Sequence, residues 1–145
     1  MAIFKYLTPQ LAVAAQLTAE DMQQAADSGF TVVINNRPDD EEAGQPANRD
    51  VGRAAEALGL EYHYLPVLSG QLTDQNVADY AALAARLQNR KLLLFCRSGT
   101  RCTFLWALQQ ARDSQVELGE IVAAAAGAGY DLQGLLARME ELRRG

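Results

Sequence analysis

Two short apolar runs limit the folds open to this chain. Thr31 to Asn35 (TVVIN) and Lys91 to Phe95 (KLLLF) carry unbroken aliphatic centres. Runs of that length and character read as strands buried on both faces. Helical segments surround them. Thr18 reads as an N-cap with Asp21 three residues on, opening a helix to about Asp27 that stops at Ser28-Gly29. A second helix spans Asn48 to Leu58 and ends at Gly59. Thr73 caps a third, in which Val77, Tyr80, Ala81, Ala84 and Leu87 follow the helical period. Leu11 to Ala15 and Glu61 to Val67 read as further strands. From about Cys102 to Arg112 a helix is apolar all round, with Phe104 to Leu108 unbroken, so it belongs in the middle of the fold. Two more helices close the chain, the last carrying Leu132, Leu135, Leu136, Met139 and Leu142 as a core stripe. Such alternation predicts an α/β fold, a mainly parallel sheet of about four to five strands flanked by helices on both faces. Sites in these sheets form beyond the carboxyl ends of the strands.

A length of 145 residues predicts one domain, 1–145, with one sizeable core. The net charge of −5 argues against a nucleic-acid partner, which needs clustered positive charge. Arg138, Arg143 and Arg144 lie among Glu140 and Glu141 and read as a solvated helix face. Met1 to Gln10 lacks the apolar core of a secretory leader. No apolar run approaches the ~20 residues that span a bilayer. A cytoplasmic protein with no membrane partner is the expectation. Two cysteines exclude a disulfide scaffold, and one histidine leaves a four-ligand zinc site short of donors. That histidine, His63, lies in a strand, and no nucleophile elbow accompanies it.

The chemistry is expected at Cys96-Arg97-Ser98-Gly99-Thr100-Arg101, between a buried strand and a buried helix. A loop entering a helix turns its backbone N–H groups inward and makes an anion site. Gly99 permits a backbone angle that other residues resist. Arg101 adds a fixed charge whose fork suits oxyanions. Each effect favours thiolate over thiol, so the Cys96 pKa should fall below the ordinary ~8.5. Nucleophile and oxyanion cradle are then one object, formed by Arg97, Ser98, Gly99, Thr100, Arg101 and Cys102. It serves attack on a phosphate ester or attack on a sulfane sulfur.

Together with Val33-Ile34-Asn35-Asn36-Arg37-Pro38-Asp39, the loop resembles the bacterial phosphatase-like domain. That domain also occurs fused to metallohydrolases, in the beta-lactamase hydrolase-like proteins, and has the protein tyrosine/dual-specificity phosphatase fold. The resemblance covers roughly Leu7 to Leu108. It implies a parallel sheet flanked by helices, Cys96 as nucleophile and Arg101 as oxyanion ligand. Arg37, at a strand end, either borders the pocket or is structural.

Three departures from standard tyrosine phosphatases stand out. Four residues separate Cys96 from Arg101, where those enzymes have five, and Cys102 takes the next place. Phe95 stands where they carry histidine. The loop expected to hold a general-acid aspartate, Leu68 to Asp74, offers only Asp74, which also reads as first-turn helix chemistry. Asp39, Asp40, Glu41 and Glu42 are alternative donors, or simply a solvated loop. The four-residue spacing is that of rhodanese-type sulfurtransferases, as the family comparison implies, and sulfur transfer demands less of a general acid. Cys102 is either a packed residue or a resolving thiol toward Cys96.

Three readings follow: a cysteine-dependent phosphatase, a sulfurtransferase carrying a Cys96 persulfide, or a silent anion- or phosphopeptide-binding module. The expected substrate is a small molecule or phosphoprotein bound as an oxyanion, and the chemistry requires no metal or organic cofactor.

Overall fold

The computed structural model describes residues 1–144. Five strands form one sheet: β1 (Lys5–Thr8), β2 (Leu11–Ala14), β3 (Val32–Asn35), β4 (Glu61–Tyr64) and β5 (Leu92–Phe95), in the order β1-β2-β5-β3-β4. All neighbours run parallel except β1 and β2, which form an antiparallel edge. The helices are α1 (Asp21–Asp27), α2 (Asn48–Ala57), α3 (Asp74–Arg86), α4 (Thr100–Ala111), α5 (Leu118–Gly127) and α6 (Leu136–Arg144), with a 3₁₀ turn at Gln133–Leu135. The expected architecture is present.

Period-two alternation explains the two layers. Leu11, Val13, Val32, Ile34, Leu92 and Leu94 point to one face, where α3, α4, α5 and α6 cover them. Ala12, Ala14, Val33, Leu93 and Phe95 point to the other, where Met22 and Ala25 of α1 and Val51 and Ala55 of α2 pack. Strand β5 is buried at every position because it lies mid-sheet with a layer on each side. Truncating a side chain such as Leu93 to alanine there costs about 2–5 kcal/mol.

Several boundaries move. Strand β4 stops at Tyr64, although Val67 was expected to end it. The extended path continues, since Leu65 and Val67 donate backbone N–H groups to the carbonyls of Asn35 and Asn36. Pro66 between them has no N–H to offer, which interrupts the ladder. Helix α4 begins two residues earlier than expected, at Thr100, on a left-handed Gly99. Thr18 and Asp21 exchange the expected reciprocal bonds, at 2.8 and 3.3 Å, although regular helix starts only at Asp21. Thr73 makes a full capping box with Asn76 at the start of α3. Strand β1 has no counterpart in the sequence reading: only Leu7 of its four residues is buried, too little to produce a pattern.

This topology opens a crevice. After β5 the chain enters α4 on one face, whereas after the adjacent β3 it reaches α2 on the other. The loops beyond these two strands part there, the position at which parallel sheets hold ligands.

Candidate active site at the end of β5

Cys96 keeps the phase of Leu92 and Leu94 and turns toward the α4 face. The loop folds back over its sulfur, and the Gly99 N–H donates to Cys96 Sγ at 3.1 Å. Gly99 has φ of 87°, a left-handed angle that glycine adopts without cost. A side chain there would strike the Tyr130 hydroxyl. That hydroxyl donates to the Ser98 carbonyl at 2.9 Å, and Thr103 Oγ1 donates to the Gly99 carbonyl at 2.8 Å. The cradle is thus held by the α5–α6 connection on one side and by α4 on the other.

This geometry lowers the Cys96 pKa to about 5. The largest cause is a hydrogen bond from the Cys102 thiol, burial opposes it, and the backbone N–H groups of Cys102, Ser98 and Gly99 add to it. Cys102 is itself pushed well up, chiefly by burial and then by bonding to Cys96, so it stays a protonated donor. One cysteine is the thiolate and its neighbour is the thiol that stabilises it. The Cys96 side chain has essentially no accessible surface, so contact with a ligand requires the loop or its side chains to shift.

Arg101, within electrostatic reach of Cys96, is not free. Its two terminal nitrogens reach both Glu41 oxygens at 2.7 and 2.8 Å, a bidentate pair, and one also donates to the Val67 carbonyl at 2.8 Å. Glu41 is in turn gripped by Nε of the buried Arg37 at 2.9 Å, and Arg37 also donates to Gln16 Oε1 at 3.1 Å. Glu41 is therefore held below the usual carboxylate range, first by its bond to Arg101, against burial, and further by Arg37. Its carboxylate stays ionised and offers no proton near neutral pH. Among the sequence candidates for a general acid, the structure brings Glu41 to the loop only as an ion-pair partner. Glu42 lies 3.5 Å from the exposed Arg97. Asp39 Oδ1 accepts from the Asn48 backbone N–H, and Asp40 takes a left-handed turn angle of 64°.

A cavity of about 720 Å³ opens beside the cradle, lined by Arg97, Ser98, Thr100 and Arg101, with the Ser69–Thr73 loop, Phe104, Leu135 and Arg138 around it. Asp74 is not among its walls. Its exposed carboxylate pairs with Arg138 at 2.9 Å from the first turn of α3. Arg37 bonds Glu41 and is not among the walls of the cavity. His63 bonds Glu61 at 2.6 Å on edge strand β4. No group of three or more His, Cys, Asp or Glu side chains able to hold a metal ion occurs among the described residues. None of their helices is long and apolar enough to cross a membrane.

Two participants escaped the sequence reading. Tyr130 lies 32 residues beyond Ser98, and a lone tyrosine gives no sign of a distant carbonyl. Gln16 follows β2, and only the sheet order brings it to Arg37.

Comparison with known proteins agrees with this geometry. The family model for the phosphatase-like domain of the beta-lactamase hydrolase-like protein matches residues 3–113. The beta-lactamase hydrolase-like protein of Xylella fastidiosa is 31% identical over 126 residues, covering 87% of this chain and 29% of its own length. The chain thus spans under a third of the curated relatives it matches. A candidate phosphatase from Neisseria meningitidis superposes with a TM-score of 0.81 at 31% identity, covering 95% of this chain and 96% of that one. The phosphatase Tk-PTP in its active form shares the fold at 15% identity, with a TM-score of 0.72 over 97% of this chain and 96% of its own. The chain belongs to the family of the beta-lactamase hydrolase-like protein's phosphatase-like domain, and its fold is that of the protein tyrosine phosphatases.

Proposed function

We propose that the protein is a cysteine-dependent phosphatase in which Cys96 is the nucleophile. The observation that carries this reading is the Cys96 sulfur at the end of a buried strand, accepting from the Gly99 amide at 3.1 Å and within the electrostatic reach of Arg101, a setting that lowers its pKa to about 5. At neutral pH it is a thiolate, and the groups that stabilise it are also placed to bind phosphoryl oxygens. The thiolate attacks phosphorus, a sulfur–phosphorus bond forms and the ester oxygen leaves with the bonding electrons. Water then attacks the phosphocysteine, gives up its proton to solvent, and releases inorganic phosphate and the thiolate.

No carboxyl group lines the cavity, so the departing oxygen takes its proton from water. Aryl phosphates, whose leaving groups are stable as anions, are therefore favoured over alkyl phosphates. Arg101 keeps its Nε edge for substrate, because Glu41 and Val67 engage only its terminal nitrogens. The test is phosphate release from p-nitrophenyl phosphate under reducing conditions, for the native protein beside Cys96→Ser. Release that disappears in the variant supports the reading. Equal release from both removes Cys96 from the reaction.

One observation favours a second reading. The four-residue loop is small, and no acid stands ready for a leaving oxygen. Both features suit sulfur transfer. In that reaction the thiolate attacks the outer sulfur of thiosulfate, the sulfur–sulfur bond breaks, sulfite leaves and Cys96 holds a persulfide. An acceptor thiolate then takes the outer sulfur. Sulfite release on mixing with thiosulfate and a thiol acceptor, without phosphate release from aryl esters, would favour this chemistry.

A further inference from the structure

The cavity beside the cradle is lined by more than the Cys96 loop. Three arginines, Arg97, Arg101 and Arg138, line the cavity and no carboxylate does, in a chain of net charge −5. Arg97 and Arg101 belong to the loop itself. Arg138 comes from α6, beyond the residues that the family model matches. The same cavity is lined by the partly buried side chains of Leu72, Phe104 and Leu135, which give it an apolar part. A volume of about 720 Å³ is far larger than one phosphate group and lies in the range of sites for small organic ligands.

Resting on the phosphatase reading, we propose that Arg138 is a second anion site, and that the substrate is a small organic phosphate with an apolar body and a further acid group. The reacting phosphate enters the Cys96 cradle, the body covers Leu72, Phe104 and Leu135, and the acid group meets Arg138. The guanidinium is available for exchange. Its present partner Asp74 is 80% exposed, and solvent screening makes such a pair weak. An acid group arriving on a body that already covers apolar surface displaces Asp74 from a partly desolvated arginine. Arg138 is thus a specificity residue, and it takes no part in the bond-making steps.

The experiment measures binding of phenylphosphonate and of three carboxylate-bearing relatives, 3-carboxyphenyl-, 4-carboxyphenyl- and 4-(carboxymethyl)phenylphosphonate, by calorimetry on the full chain. Their carbon–phosphorus bonds resist the thiolate. The native protein should bind at least one carboxylate-bearing probe about tenfold more tightly than phenylphosphonate, the gain of one well-placed charged contact. Arg138→Gln should bring that ratio toward one. Asp74→Asn, which removes the competing carboxylate, should raise it. A native ratio near one for all three probes overturns the proposal, as does a preference that survives Arg138→Gln. Those outcomes leave the phosphatase reading standing if phenylphosphonate binds. Failure of every probe to bind overturns both.

Discussion

The two walls of the site are built in different ways. The Cys96 loop is fixed by backbone: a left-handed Gly99, carbonyls held by Tyr130 and Thr103, and a sulfur bonded by an amide. The other wall, Arg37 to Glu42, lies outside the cavity, meets the loop through its ion pairs, and is fixed by charge: a buried arginine holds a glutamate, which holds Arg101. Backbone geometry cannot be retuned by one side chain without breaking the loop. Ion pairs can, because each member contributes separately and responds to substitution. The nucleophile therefore sits on the rigid wall, and the setting of its arginine on the adjustable one.

The largest effects are expected at the rigid wall. Cys96→Ser should lower turnover of p-nitrophenyl phosphate by at least about 10³-fold, because Cys102, the other thiol of the cradle, is held protonated and a hydroxyl is a far weaker nucleophile than a thiolate. Arg101→Lys should cost about 10²–10³-fold in kcat, the usual loss of an oxyanion donor, since lysine cannot reproduce the fork. A kinetic titration at saturating substrate checks both. Cys102→Ala removes the largest stabiliser of the thiolate, so the Cys96 pKa should rise from about 5 toward that of an ordinary thiol. The sign follows from the reactive form. Iodoacetamide alkylates the thiolate, so the acid limb of the rate should fall near pH 5 in the native protein and at higher pH in the variant.

The adjustable wall should answer with smaller changes. Glu41→Ala leaves the buried Arg37 with Gln16 and the exposed Glu42 at 3.6 Å, and should lower unfolding stability by about 1–3 kcal/mol in urea titrations. An unchanged midpoint would show that Glu41 does not hold that wall. Asp74→Asn should change kcat on p-nitrophenyl phosphate less than about twofold, because an exposed pair contributes little. A large fall would make Asp74 the proton donor after all.

The rigid wall was also the legible one. A strand of consecutive aliphatics, a cysteine, a glycine and an arginine before an apolar helix are local, and local order fixes a loop between two buried elements. The depressed thiol followed from the same residues, although the leading role of Cys102 did not. At that position the sequence offers both a packing residue and a resolving thiol, and only the side-chain geometry makes it the donor to Cys96. The adjustable wall was hidden for a different reason. Glu41 and Arg101 are separated by 60 positions, and four consecutive acidic residues look alike until sheet order selects one. Asp74 is ambiguous in the sequence because first-turn helix chemistry and general-acid chemistry share a residue type, and the structure shows it paired with Arg138 in the first turn of α3.

The most direct test is the intact mass of the native protein, quenched in acid within milliseconds of mixing with p-nitrophenyl phosphate, beside Cys96→Ser. A phosphocysteine intermediate gives a species heavier by one phosphoryl group, located on Cys96 by peptide mapping and missing from the variant. A native protein that gains no phosphoryl group, but gains one sulfur atom on Cys96 when mixed with thiosulfate instead, would contradict it.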